Sequence, residues 1–189
     1  MLATHRLSAI HTAQALLQAR PVYLDTETTG LEGNAEVIEI CVLDTGGSPL
    51  VHTLVKPRFP IPPPATRIHG VTNEMVALAP TWPEVWPQVE AALRGRTVGI
   101  YNADFDLRIL RATHRGYNLP WQAGLFKSFC IMKLYAQYYG QWNGRYGSFR
   151  WQSLAEAGRQ CRISLPNAHR ALADTLLARA LLEHMAGST

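Results

Sequence analysis

Pro21-Val22-Tyr23-Leu24-Asp25-Thr26-Glu27-Thr28-Thr29-Gly30 is the stretch from which the rest of the chain can be read. Pro21 to Thr26 has the apolar, β-branched and aromatic character of a strand. Asp25 and Glu27 stand two apart, so an extended backbone points both to one face. Gly30 then turns the chain away. Two carboxylates that close repel each other unless a cation compensates, and hard divalent metals prefer such oxygen ligands. Taken alone, the hexamer from Asp25 to Gly30 fits an acidic loop after a strand equally well.

Working outward, Val37 to Leu43 reads as a second strand. The turn Thr45-Gly46-Gly47-Ser48 folds it back onto Leu50 to Val55 as a hairpin. Five prolines between Pro57 and Pro64 predict a stiff loop. Thr81 can cap a helix carrying Trp82, Val85, Trp86, Val89 and Leu93 at helical spacing, with Gly95 as its stop and Pro87 as a kink point. Thr97 to Tyr101 is a fourth strand, followed by a helix from about Phe105 to Arg115. Leu125 to Ile131 is a possible fifth strand. Helices are expected near Gln152 to Cys161 and Arg170 to Met185. The order implies an α/β fold, one mixed sheet covered by helices. Residues 1–20 read as an N-terminal helical extension with Leu7, Ile10, Ala13 and Leu17 on one face.

Composition sets bounds. The chain has 189 residues, of which 47% are hydrophobic and 17% charged, an ordinary globular mixture rather than a disordered one. Its net charge of +4 is compatible with a polyanionic partner without requiring one. Cys41, Cys130 and Cys161 form no CxxC pair. A disulfide framework or zinc site is therefore not expected, and a reducing, cytoplasmic setting is. No run is long and apolar enough for a membrane span.

Two further segments carry acids. In Gly99-Ile100-Tyr101-Asn102-Ala103-Asp104-Phe105-Asp106, a strand runs into a helix, with Asp104 a candidate cap and Asp106 in the first turn. In His169-Arg170-Ala171-Leu172-Ala173-Asp174, a five-residue spacing turns two helical side chains roughly 140° apart. His169 and Asp174 cannot both face one site from a regular helix. His169, beside Pro166-Asn167, is the better candidate for a loop position. Singly, this pair also fits the surface of an amphipathic helix.

D-T-E-T-T-G, then N-x-x-F-D, then H-x4-D, in this order and at these separations, resembles the exonuclease motifs of the DnaQ-like DEDDh family. Ile68-His69-Gly70-Val71-Thr72 and Cys130-Ile131-Met132-Lys133-Leu134 resemble further family segments. The resemblance spans about Val22 to Met185. It implies a ribonuclease H-like mixed five-stranded sheet flanked by helices, with residues 21–189 as the exonuclease domain. It also implies 3′→5′ hydrolysis of terminal phosphodiester bonds of DNA, or of RNA, releasing nucleoside 5′-monophosphates. By the same resemblance, Asp25, Glu27, Asp106 and Asp174 would hold two divalent ions, Mg2+ or Mn2+, and His169 would be the general base. Thr29, Leu31, His69, Asn102 and Phe105 would contact the terminal nucleotide, although Leu31 alone could equally be core. Tyr101 departs from the pattern, because many members have His there. The expected partner is nucleic acid with a free 3′ end, single-stranded. The sequence implies no membrane and no polymerase partner. A fold-keeping but silent relative would be expected to have lost one of the five catalytic residues. The aromatic residues between Tyr135 and Trp151, with Arg145 and Arg150 among them, fit either a stacking surface or a glycine-punctuated loop with buried rings.

Overall fold

The computed structural model describes residues 2–163 and 169–188. The first strand, β1 (Val22–Thr28), pairs antiparallel with β2 (Val37–Leu43), which pairs antiparallel with β3 (Pro49–Leu54). On its other side β1 runs parallel to β4 (Thr97–Ile100), and β4 runs parallel to β5 (Lys127–Cys130). The result is one five-stranded mixed sheet in the order β3-β2-β1-β4-β5. β2 is buried along its whole length, because it is an inner strand covered on both faces.

Each face has its own helical layer. Tyr23, Cys41 and Leu43 pack beneath α1 (Leu2–Gln18), α6 (Ile131–Tyr139) and α8 (Ala171–Gly187), with Ile131, Tyr135, Leu181 and Leu182 in the same core. Val22, Leu24, Ile40 and Val42 pack beneath α4 (Trp82–Leu93) and α5 (Ala103–Gly116), with Trp82, Val89, Ile109 and Leu110. A smaller cluster of Ile38, Ile61, Ala65, Val71 and Val76 lies under α2 (Pro63–His69) and α3 (Asn73–Val76).

Several local expectations are corrected. The proline run does not stay a loop to Pro64: α2 starts at Pro63, with prolines in its first turn where no N–H is needed. α4, by contrast, spans Trp82 to Leu93 as expected, with Pro87 inside it. The fifth strand ends at Cys130, and α6 starts at the next residue. In α1, Ile10 and Ala13 are buried as expected, but Leu7 is 51% exposed and Ala9 takes the inner position. Asn102 rather than Asp104 caps α5. α7 (Leu154–Gln160) and α8 lie where the sequence places helices. Pro166-Asn167 falls outside the described residues.

Candidate active site

β1 and β4 are parallel neighbours, so their C-terminal ends meet at one edge of the sheet. Asp25 and Glu27 lie there, both half-buried, in the alternate positions that share the Tyr23 face. The chain leaves β1 through a register shift after Glu27. Thr28 Oγ1 donates to the Gly30 carbonyl at 2.8 Å and closes the turn. After β4, Asn102 adopts a left-handed backbone (φ 65°) that turns directly into α5. Asp106 therefore falls in the first turn of α5, 3% exposed, where its Oδ1 accepts a hydrogen bond from Thr26 Oγ1 at 2.8 Å.

The third contribution comes from α8. Asp174 sits in its first turn. Carboxylate oxygens of Asp25, Glu27 and Asp174 lie within 4.8 Å of one another. Asp106 stands beside this trio, and among its neighbours' charges it is the strongest influence on Asp25. His169 lies outside the helix with φ 65°, and Arg170 is extended. The five-residue spacing is thus resolved by starting α8 at Ala171. The backbone N–H of His169 donates to Asp174 Oδ1 at 3.3 Å, and the imidazole is exposed.

The electrostatics favour a cation. Burial pushes the Asp25 carboxyl well above the usual range, and Asp106, Glu27, Asp174 and Glu39 push it further. Burial and the charges of Asp174, Glu39 and Asp106 raise Glu27 to about 8. Burial also raises Asp106 and Asp174, opposed by hydrogen bonds from Thr26 and His169 respectively. Clustered oxygen donors with uncompensated charge are the donor set that a hard divalent ion takes.

A pH dependence follows. These acids bind protons more tightly in the folded protein than in the unfolded chain, where carboxylates titrate near about 4. Metal-free stability is therefore highest at low pH in this respect, and it is lost as pH rises from about 4 through the value near 8 at Glu27. A divalent ion held by these acids, with Mg2+ as the probe, would be expected to raise Tm more at pH 8 than at pH 6. Thermal melts with Mg2+ and with chelator at both pH values check this, and an equal rise at both would contradict it.

Glu39 and Arg170 belong to the site, although the sequence reading assigned neither. Glu39 faces Glu27 across the β1–β2 ladder and is 1% exposed. Its carboxylate accepts two hydrogen bonds from the Arg170 guanidinium, both at 2.9 Å, and one from the backbone N–H of Ala171 at 3.4 Å. His52 Nε2 lies 3.0 Å away. Burial alone would raise this carboxyl, but the bonds from Arg170 and His52 outweigh it and hold the carboxyl below its ordinary value. The cluster ties the start of α8 to β2. A lone charge inside the buried run Val37-Ile38-Glu39-Ile40-Cys41 was the available signal. Glu39→Gln is expected to cost about 1–3 kcal/mol in urea unfolding, because charged hydrogen bonds are replaced by neutral ones. A change under about 0.5 kcal/mol, the range of ordinary surface substitutions, would contradict the clamp.

The remaining candidates are dispersed around the turn after β1. Thr29 Oγ1 accepts from the Glu36 backbone N–H at 2.9 Å, so its hydroxyl oxygen has a structural partner. Leu31 is 71% exposed and is not core. Its carbonyl accepts from Arg108, whose guanidinium lies 5.3 Å from the half-buried Phe105 ring. His69 is buried beside Thr28 and accepts from the Val71 backbone N–H at 3.0 Å; burial lowers its pKa. Its Nε2 has no hydrogen-bond partner among the described residues. Asn102 is exposed at the start of α5. Tyr101, where the motif often has His, is buried and donates its hydroxyl hydrogen to the Gln152 carbonyl at 3.0 Å.

Comparison with known proteins bears on this geometry. The sequence profile of the RNase T exonuclease family matches residues 22–182. An uncharacterized exonuclease, CP81, of Escherichia phage 186 is 39% identical over 179 residues, covering 92% of both chains. The DNA polymerase III epsilon subunit of Pasteurella multocida is 32% identical over 110 residues, which cover 53% of this chain and 44% of that subunit. Among solved structures, exonuclease X in complex with 5′-overhanging duplex DNA superposes with a TM-score of 0.63 at 28% identity, covering 89% of this chain and 93% of that one. The nuclease domain of 3′hExo, a DEDDh family member bound to rAMP, has a TM-score of 0.68 at 17% identity, covering 86% and 89%. The mixed five-stranded sheet with its flanking helices is the ribonuclease H-like fold of these DEDDh nucleases.

Proposed function

Because the chain belongs to the RNase T exonuclease family, of the DnaQ-like DEDDh type, we propose that it is a metal-dependent 3′→5′ exonuclease. In this reading it hydrolyses the last phosphodiester bond of a nucleic acid, DNA in the first instance, and releases nucleoside 5′-monophosphates. The observation that carries the reading is the meeting of Asp25, Glu27 and Asp174 oxygens within 4.8 Å, with Asp106 adjoining. Acids from three distant stretches of sequence are gathered, buried or half-buried, against their own repulsion, which a bound cation would offset.

Asp25, Glu27, Asp106 and Asp174 would hold the ions. When bound, two divalent ions, Mg2+ or Mn2+, supply the positive charge that activates water and stabilises the departing 3′-oxygen. His169 accepts the proton of the attacking water; an imidazole with an unperturbed pKa of about 6.5 suits that task. Asp174 holds the His169 backbone through the 3.3 Å hydrogen bond, which fixes where the ring can swing. Leu31 and Phe105 offer apolar surface to the terminal base, tolerant of its identity because every base has a π-face. Thr29, His69 and Asn102 would contact the terminal nucleotide. The substrate end is single-stranded in this reading. No helix among the described residues is long and apolar enough to cross a membrane. The free thiols of Cys41, Cys130 and Cys161 suit the cytoplasm.

Polarity and product are tested with one oligonucleotide labelled at either end. A 3′ label should leave at once as a mononucleotide, while a 5′ label should remain on a descending ladder. Early release of the 5′ label, or internal cuts, would overturn the proposal.

A further inference from the structure

Between Asp106 and Glu156 the sequence contains no acidic residue and seven basic ones. Within that span, β6 (Trp142–Asn143) and β7 (Ser148–Phe149) form a separate two-stranded hairpin. Its inward ring is Phe149, which meets the edge of His5 from α1 at 5.2 Å and Trp142 at 5.3 Å. The other rings nearby face water: Trp142 is 55% exposed, Tyr146 70% and Trp151 60%. Arg145 and Arg150 are interleaved with them and exposed, and the Arg145 guanidinium lies 5.7 Å from the Tyr146 ring centre. Among the described residues, neither arginine forms an ion pair with a carboxylate.

The hairpin is joined to the carboxylate site. Gln152, next to Trp151, accepts the Tyr101 hydroxyl hydrogen bond at 3.0 Å. Tyr101 directly follows β4, at the sheet edge from which α5 carries Asp106. The Trp151 end of the aromatic surface is therefore tied to the strand end that leads into α5 and Asp106. Large rings left in water, separated by unpaired guanidinium groups in an acid-free stretch, match a strand of stacked bases and phosphates.

We propose that the 140–152 hairpin is a platform for the single strand behind the terminal nucleotide, with Trp142, Tyr146 and Trp151 stacking on bases and Arg145 and Arg150 pairing with phosphates. This rests on the exonuclease reading and deepens it by naming where the undigested strand lies. The shared chemistry is that of any single-stranded nucleic acid, DNA or RNA.

The test compares kcat/KM for 12-residue oligothymidylate and oligouridylate with kcat/KM for p-nitrophenyl thymidine 5′-monophosphate, a diester with no strand behind the cut. Taking the ratio of the two cancels any loss of folded enzyme. Trp142→Ala, Tyr146→Ala and Trp151→Ala should lower the ratio roughly 5- to 150-fold per stacked base. Arg145→Gln and Arg150→Gln should each flatten the logarithmic salt dependence of oligomer binding by about 0.7. A fall on either sugar supports the platform and names its strand. Unchanged ratios on both sugars overturn it. Anisotropy of the labelled 12-mers with the intact chain in chelator is the second arm. If the wild-type protein hydrolyses nothing, yet binds in a ring-dependent way, the exonuclease reading fails and the platform stands. Binding indifferent to all three rings overturns the platform.

Discussion

Asp25→Asn is expected to lower kcat by about 10³-fold or more while the metal-free protein melts at the same or a higher temperature. Asp25 is the carboxylate on which the others converge: Asp106, Glu27, Asp174 and Glu39 all raise it, after burial itself. An amide keeps the shape and removes the charge, so the ion loses its central ligand. Several kcal/mol of charge stabilisation go with it, and each roughly 1.4 kcal/mol is tenfold in rate. The same change relieves repulsion among buried acids, which is why stability should not fall. Steady-state kinetics and a thermal melt on one preparation check both halves. Activity within tenfold of wild type would place the chemistry elsewhere.

His169→Ala should lower kcat by about 10²- to 10⁴-fold, the range for loss of a general base, and leave the Mg2+-induced shift in Tm unchanged. The structure gives the reason for the split. His169 is exposed, outside α8, and reaches Asp174 through its backbone N–H rather than its ring. Truncating the side chain leaves that hydrogen bond and the carboxylates in place. Full turnover in the variant would remove His169 from the mechanism. Loss of the Mg2+ shift would make it a part of the ion site instead.

The parts of this arrangement that were legible in sequence are those set by backbone periodicity. Two-residue spacing put Asp25 and Glu27 on one face, and the five-residue spacing kept His169 and Asp174 from facing one site on a regular helix. The β-branched residues of Val37 to Leu43 marked a second strand. What sequence left out depends on contacts between distant segments. Asp104 looked like a cap because of its type, yet the left-handed Asn102 takes that place and Asp104 pairs with Lys133 at 2.6 Å. α6 was hidden because no turn residue separates Cys130 from Ile131, so its first residue read as strand. α2 was hidden because prolines that begin a helix look like prolines that prevent one. The aromatic run divides between a helix and a hairpin. Tyr135 and Tyr138 are buried on the inner side of α6, while Trp142, Tyr146 and Trp151 are exposed. Glu39 and Arg170 are 131 residues apart, and no local pattern pairs them.

Hydrolysis of a 5′-labelled single strand by protein stripped with chelator, dialysed, and then given Mg2+ is the most direct test. The four-carboxylate site predicts no shortening before the ion is restored and a 3′-descending ladder after it. Undiminished shortening by the stripped protein would contradict the site.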